Sequence, residues 1–184
     1  MISHRLSGFC ERSGSFPAAQ FAYRKGLGCT DALLTISQQL QQALDCGQEF
    51  YLVQLDFSAA FDRVSHDGLI FKLRSADVGS CLLSICREFL TDRRQRVVVD
   101  GTSSGVPQGS VLGPLLFILY TSEMFDLVEN RLFAYADDST LLAVIRRLSD
   151  RPTVVVSVNR DLVRIHEWCG CWCMLLNPKK SKAF

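Results

Sequence analysis

Three aspartates carry the most suggestive chemistry in this chain: Asp56, near the end of the apolar run FYLVQLDF, and the neighbouring pair Asp137 and Asp138 in the segment YADD. Three carboxylates gathered at one place repel one another and stay ionised only with a cation between them. Their hard oxygens favour Mg²⁺, and two such ions roughly 3.5 to 4 Å apart activate an attacking hydroxyl and stabilise the leaving oxygen of a phosphoryl transfer. The chemistry on offer is nucleotidyl transfer. Taken singly, each feature has a plainer reading, a polar hairpin turn at Asp137 and Asp138 and a strand end at Asp56. The decision lies with the elements that position them.

The run 50–57 is short and rich in β-formers, which predicts a buried strand ending in an acid. Thr30 as N-cap, Asp31 in the first turn and a stripe through Leu33, Leu34, Ser37, Leu40 and Leu44 predict a helix that stops at Gly47. Helices follow at 66–75 and 80–90 and a strand at 94–100. A helix over 110–125 is entered through GVPQGS, with Pro114 near its first turn, where a missing N–H is tolerated. Strands 131–136 and 139–145 make a hairpin turning on Asp137 and Asp138, then come a helix over 154–173 and a last strand at 179–184. The principal elements read β-α-β-β-α-β, an α/β (α+β) fold with a split βαβ core. Its crossover makes the first two strands parallel, so the C-terminal end of the first lies at the sheet edge of the hairpin turn. Asp56 is thereby expected beside Asp137 and Asp138.

Composition narrows the classes. A chain of 184 residues, 48% hydrophobic and 21% charged, suits one globular unit and excludes a disordered tail. With 20 basic and 19 acidic residues the net charge is +1, so any polyanion site must be local. The longest apolar run, 111–120, is too short for a membrane span and contains Gly113 and Pro114, so no membrane partner is expected. Eight cysteines without a signal-like N-terminus read as reduced, intracellular core residues. Residues 1–29, punctuated by Gly and Ser, make a poor start for an independent domain. His166, Cys169 and Cys173 share a helical face, which suits core packing better than zinc. G-x-S-x-G at 101–105 lacks the helix and histidine context of a hydrolase.

Four blocks in order, LDFSAAFDRV at 55–64, GVPQGSVLGPLLF at 105–117, FAYADDSTLL at 133–142 and LNPKKSK at 176–182, resemble those of reverse transcriptases. The likeness is to the non-LTR retrotransposon type, jockey-like elements above all, and YADD differs from the YMDD of retroviral sources. A fifth block, QFAYRKGLGCTDAL at 20–33, is similar to the fingers block that precedes them. The resemblance implies a palm at 50–184 with a partial fingers segment at 1–49, thumb absent, and the remaining fingers and thumb supplied by the same polyprotein.

It further implies RNA-directed DNA polymerase activity: addition of a dNTP to a DNA primer 3′-OH on an RNA template with two Mg²⁺ ions, Mn²⁺ being a substitute. Asp56 and Asp137 would be the main metal ligands, with Asp138 and the Phe57 carbonyl in support. Phe61 would be a steric gate against the ribose 2′-OH. Gln108 would touch nucleotide and template, while Gly105 and Gly109 let backbone approach the substrate. Arg24 and Lys25 would meet triphosphate or template phosphates. Lys180, flanked by Lys179 and Lys182 as alternatives, would assist the pyrophosphate leaving group. Localisation would be intracellular, nuclear during target-primed synthesis. Two departures stand out: only Thr102, Ser103 and Ser104 separate VVVDG from GVPQGS, so an edge strand is expected to be missing, and RKGLGCTD lacks the family's further arginine and hydroxyls. The alternative reading is a catalytically silent palm that only binds nucleic acid.

Overall fold

A computed structural model describes residues 2–91, 97–99, 102–106 and 109–184. The chain runs α1 (Ile2–Ser13), α2 (Cys29–Asp45), β1 (Glu49–Leu55), α3 (His66–Ser75), α4 (Ser80–Thr91), β2 (Val97–Val99), β3 (Thr102–Ser104), α5 (Gly113–Thr121), β4 (Arg131–Tyr135), β5 (Asp138–Ile145), α6 (Arg151–Cys171) and β6 (Lys182–Ala183). Four strands form a sheet in the order β4-β5-β1-β6, with β1 antiparallel to both β5 and β6. Since β5 is also antiparallel to β4, β1 and β4 run the same way without touching. The β-α-β-β-α-β order is therefore present, with short helices and a small hairpin inserted after β1.

Strand alternation distributes side chains to two cores. Val53 and Leu55 of β1, Leu132 of β4 and Leu141 and Ala143 of β5 enter the larger core with α5 and α6. The alternate positions Phe133 and Leu142, with half-buried Phe50, Leu52 and Val144, face Phe21 and α2 in a smaller one. Helix α5 is buried on every side, from Leu115 to Thr121, as a helix apolar all round must be. Lys72 is buried against it; its ammonium donates to the Tyr120 carbonyl at 2.8 Å and to Glu123 at 2.6 Å, and lies 3.8 Å from the Trp172 ring centroid. At the far end of the hairpin, buried Asp161 accepts from the Glu129 and Asn130 backbone N–H groups, both at 2.9 Å. Among the described residues no helix is long and apolar enough to cross a membrane.

Several expectations need correction. Residues 2–13 are helical despite Gly8 and three serines, because Leu6 and Cys10, one turn apart, are fully buried in the larger core. Helix α2 turns Ala32, Ile36 and Leu40 to the sheet, where they pack with Phe21, Phe133 and Leu142, and leaves Leu33, Leu34 and Leu44 exposed. The edge strand expected to be missing is present: Thr102–Ser104 pairs with Val97–Val99, so the three residues suffice for a short hairpin. The hairpin turn is Ala136-Asp137 rather than Asp137-Asp138, because Tyr135 pairs with Asp138. The helix expected over 110–125 divides into α5 and a 3-10 turn at Ser122–Asp126. The last strand shrinks to two residues because 177–181 turn, with Ser181 N–H bonded to the Asn177 carbonyl.

The cysteines divide as well. Cys10, Cys86 and Cys169 are buried, whereas Cys29, Cys46, Cys81 and Cys171 are exposed, and all eight are free. Burial pushes the Cys10 and Cys169 thiols up to about 12 and that of Cys86 to about 11. Only thiolates alkylate readily. Iodoacetamide at about pH 8 is thus expected to label the four exposed cysteines of the native chain and to spare Cys10, Cys86 and Cys169 until denaturant is added. Mass spectrometry of the peptides checks this, and rapid native labelling of Cys86 or Cys169 would contradict the packing.

Candidate active site

The pairing of β1 with β5 ends at Leu55↔Ser139, and that of β4 with β5 at Tyr135↔Asp138. Asp56 and Asp138 therefore leave the sheet at the same end, with Asp137 in the turn beside them. The segment after α6 grips the end of β1. Asn177 N–H donates to the Asp56 carbonyl at 2.8 Å, Asp56 N–H to Ser181 Oγ at 3.3 Å, and Phe57 bridges Leu176. This grip brings Lys180 Nζ to 3.9 Å from Asp56 Oδ1. Of the three candidate lysines, Lys180 is the one that lines the groove with Asp56 and Asp138.

Burial is the main cause that raises the Asp137 carboxyl above the usual range. The charges of Asp138 and Asp56 raise it further, while the turn's backbone and Lys180 oppose them. The three acids thus share one field. Among the described residues no group of three or more His, Cys, Asp or Glu side chains is drawn into metal-holding distance. The donor set nonetheless fits a hard divalent ion: carboxylates whose mutual repulsion a cation would relieve. A groove of about 350 Å³ opens beside them, walled by Cys29, Leu33 and Ile36 of α2. A larger cavity of about 510 Å³ lies between α1 and α4 and contains none of the acids, so chemistry selects the smaller one.

Phe61 is half-buried and stacks on Phe117, with centroids 4.4 Å and planes 25° apart. Its carbonyl accepts from Val106 N–H at 2.9 Å, and Gly105, at φ +95°, donates its N–H to the Val64 carbonyl. The start of the GVPQGS loop is therefore tied to the segment carrying Phe61. Gly109 is exposed at φ +79°, and Pro107 and Gln108 lie outside the described residues.

Lys25 is exposed, but Arg24 is engaged within the chain. Arg24 holds both Glu11 oxygens, at 2.9 and 2.7 Å, and the carbonyls of Pro17 and Gln20, at 2.7 and 3.1 Å. It pins α1 to the loop ahead of α2 rather than presenting a free guanidinium to phosphates.

Two residues of that loop, given no role from sequence, stand next to the acids. Gln20 is fully buried against the Ala136 peptide, which immediately precedes Asp137. Tyr23 is close enough to Asp137 that, after burial, this charge helps raise its hydroxyl pKa. The one signal for Gln20 was its place at the head of the QFAYRKG block.

The whole chain, residues 1–184, matches the family model for reverse transcriptase (RNA-dependent DNA polymerase), and the chain belongs to that family. Among its relatives is a probable RNA-directed DNA polymerase from transposon BS of Drosophila melanogaster, 30% identical over 98% of this chain and 21% of that protein. The RNA-directed DNA polymerase from mobile element jockey of Drosophila funebris is 29% identical over the same shares. The chain thus spans about a fifth of these curated relatives, whose names bear out the jockey-like resemblance. The fold matches telomerase from Candida tropicalis, truncated from its C-terminal domain, with a TM-score of 0.67 at 14% identity, over 100% of this chain and 39% of that one. Telomerase from Candida albicans, solved with a TWJ fragment of telomeric RNA, gives 0.65 at 14% identity, over 100% and 33%.

The Arg24–Glu11 link makes a pH prediction. Its hydrogen bond from Arg24 holds the Glu11 carboxyl below the usual range, against a smaller effect of burial. A depressed folded value means the stability is present above the unfolded value and is lost as pH falls through the folded one. The difference in urea midpoint between the native chain and Glu11→Gln is expected to shrink steadily as pH falls from about 6 through and below the ordinary carboxylate range. A difference that stays constant over that range would refute the link.

Proposed function

We propose that this chain is the catalytic palm, with part of the fingers, of an RNA-directed DNA polymerase of a non-LTR mobile element. It would extend a DNA primer with dNTPs on an RNA template. The observation that carries the reading is the meeting of Asp56, Asp137, Asp138 and Lys180 at one sheet end beside an open groove. The telomerase solved with RNA lends the template reading support from a protein of the same fold. Residues 50–184 would form the palm and 1–49 the fingers segment, although α1 and α2 pack directly on the palm's two cores. The nuclear, target-primed mode belongs to the same proposal.

Asp56 and Asp137 would hold Mg²⁺, or Mn²⁺ in its place, with Asp138 and the Phe57 carbonyl in support. When bound, such ions lower the pKa of the attacking 3′-hydroxyl and take up charge on the leaving oxygen. Lys180, exposed on a short turn, would stand by the pyrophosphate as a cationic acid. The wall of α2 gives the groove apolar surface for a base, Gln108 would touch nucleotide and template, and Gly109 would let backbone approach the substrate. Lys25 would meet phosphates. Phe61, held flat by Phe117, would exclude a 2′-hydroxyl.

Primer extension on an RNA template tests the reading, using a protein that carries this chain with the flanking segments its relatives possess. Incorporation is expected to fall on the order of 10³-fold in Asp137→Asn, the scale for losing a partner of transition-state charge. Phe61→Val is expected to raise use of ribonucleotides relative to deoxynucleotides about tenfold or more. RNA binding with no incorporation by the unaltered protein would favour a silent palm instead.

A further inference from the structure

Gln20 lies 0% exposed at the junction of the loop before α2 and the acidic turn. Residues 19–21 run beside β4: Phe21 N–H donates to the Ala134 carbonyl and Ala134 N–H to the Ala19 carbonyl, both at 2.9 Å. This lays the Gln20 side chain on the next peptide along. Its Oε1 accepts from Ala136 N–H at 3.1 Å and Ala22 N–H at 3.0 Å, and its Nε2 donates to the Ala136 carbonyl at 3.2 Å. Two N–H groups and one carbonyl face the amide, so only one orientation satisfies all three, and the primary amide supplies the acceptor and the donor on separate atoms. A carboxylate would lack the donor and bury a charge near Asp137.

Ala136 needs such a hold. It sits at φ +58°, a conformation that non-glycine residues rarely adopt, and the direction of the Asp137 side chain follows from the peptide just before it. We infer that Gln20 is a positioning residue: its amide clamps the Ala136 peptide and thereby fixes the Asp137 carboxylate toward Asp56. The inference rests on the reading of Asp137 as a metal-binding acid. The clamp joins the fingers block to the acids across the molecule, so the two segments depend on each other in folding and in use.

The test compares Gln20→Met, of similar size without the amide, with Asp161→Leu, which removes a buried clamp at the opposite end of the same hairpin. Both variants are expected to melt at lower temperature than the native chain. Amide exchange followed by NMR is expected to speed up at Ala136 by about tenfold or more in Gln20→Met, with β1–β5 amides still protected. Mn²⁺ affinity, read by electron paramagnetic resonance on the same chain, is expected to weaken about tenfold in Gln20→Met and to stay unchanged in Asp161→Leu. Unchanged Mn²⁺ affinity in Gln20→Met, or equal weakening in Asp161→Leu, overturns the positioning role. If the native chain binds no Mn²⁺, or Asp137→Asn binds it equally, the metal reading fails. The clamp is then decided by the Asp137 carboxyl resonance without metal, which must move in Gln20→Met and not in Asp161→Leu. Should Gln20→Met not fold, Gln20→Asn, with the amide drawn back by one methylene, carries the same readouts.

Discussion

The register between β1 and β5 is the constraint on which the rest of the molecule depends. Pairs from Glu49↔Ile145 to Leu55↔Ser139 place two distant segments side by side. Strand side chains alternate with a period of two, so a slip of β1 by one residue would turn Val53 and Leu55 out of the larger core while Leu141 and Ala143 of β5 stayed in it. The same slip would draw Asp56 away from Asp138. Burial therefore enforces the alignment of the acids, and the apolar residues upstream of each aspartate are what bring the charges together. Three like charges would otherwise separate.

Other elements secure this alignment from outside the pair. The 177–181 turn holds the end of β1 through Asn177 and Ser181, and with it carries Lys180 to the acids. Helix α5 fills the larger core, and Phe117 on it supports the ring of Phe61. On the other face, α2 stands over the sheet on Ala32, Ile36 and Leu40 and forms one wall of the groove. Arg24 joins α1 to the loop before α2. Residues 2–45 and the sheet are thus continuous in packing, though their sequences read as separate blocks.

What sequence made legible was the part governed by short-range pattern. The strand 50–57, the helices near 66–75 and 80–90 and the hairpin around residue 137 follow from β-formers, helical spacing and turn residues, and the structure has each of them within a few positions. Composition alone leaves local polyanion chemistry open; the order of the blocks points to it. What stayed hidden depends on distant partners. Helix α1 exists because Leu6 and Cys10 find the core, and nothing local in ISHRLSGFCERS announces that. The identity of the buried face of α2 depended on how near the sheet would lie. Arg24 read as a free cation because its carboxylate partner, Glu11, belongs to a helix that was not foreseen. Gln20 read as one polar residue among many because its partner is a backbone peptide far along the chain.

The backbone strain of the molecule gathers around the same site. Five non-glycine residues among those described have positive φ, and Asp77 and Cys173 among them simply close α3 and α6. The other three are Tyr23, Ala59 and Ala136. Ala59 follows Asp56 closely, Ala136 precedes Asp137, and Tyr23 stands within reach of the Asp137 charge. A left-handed conformation costs a non-glycine residue about 1 kcal/mol or more, and it persists only where surrounding bonds compel it. At Ala59 the carbonyl accepts from both Asp62 and Arg63 N–H groups, and at Ala136 the Gln20 amide engages both the N–H and the carbonyl of the residue. Glycine at either place would relieve the strain and also loosen the chain. Alanine, strained and held, limits the directions in which the neighbouring aspartates can point, and that restriction bears on Asp137, whose carboxyl already feels the charges of Asp138 and Asp56.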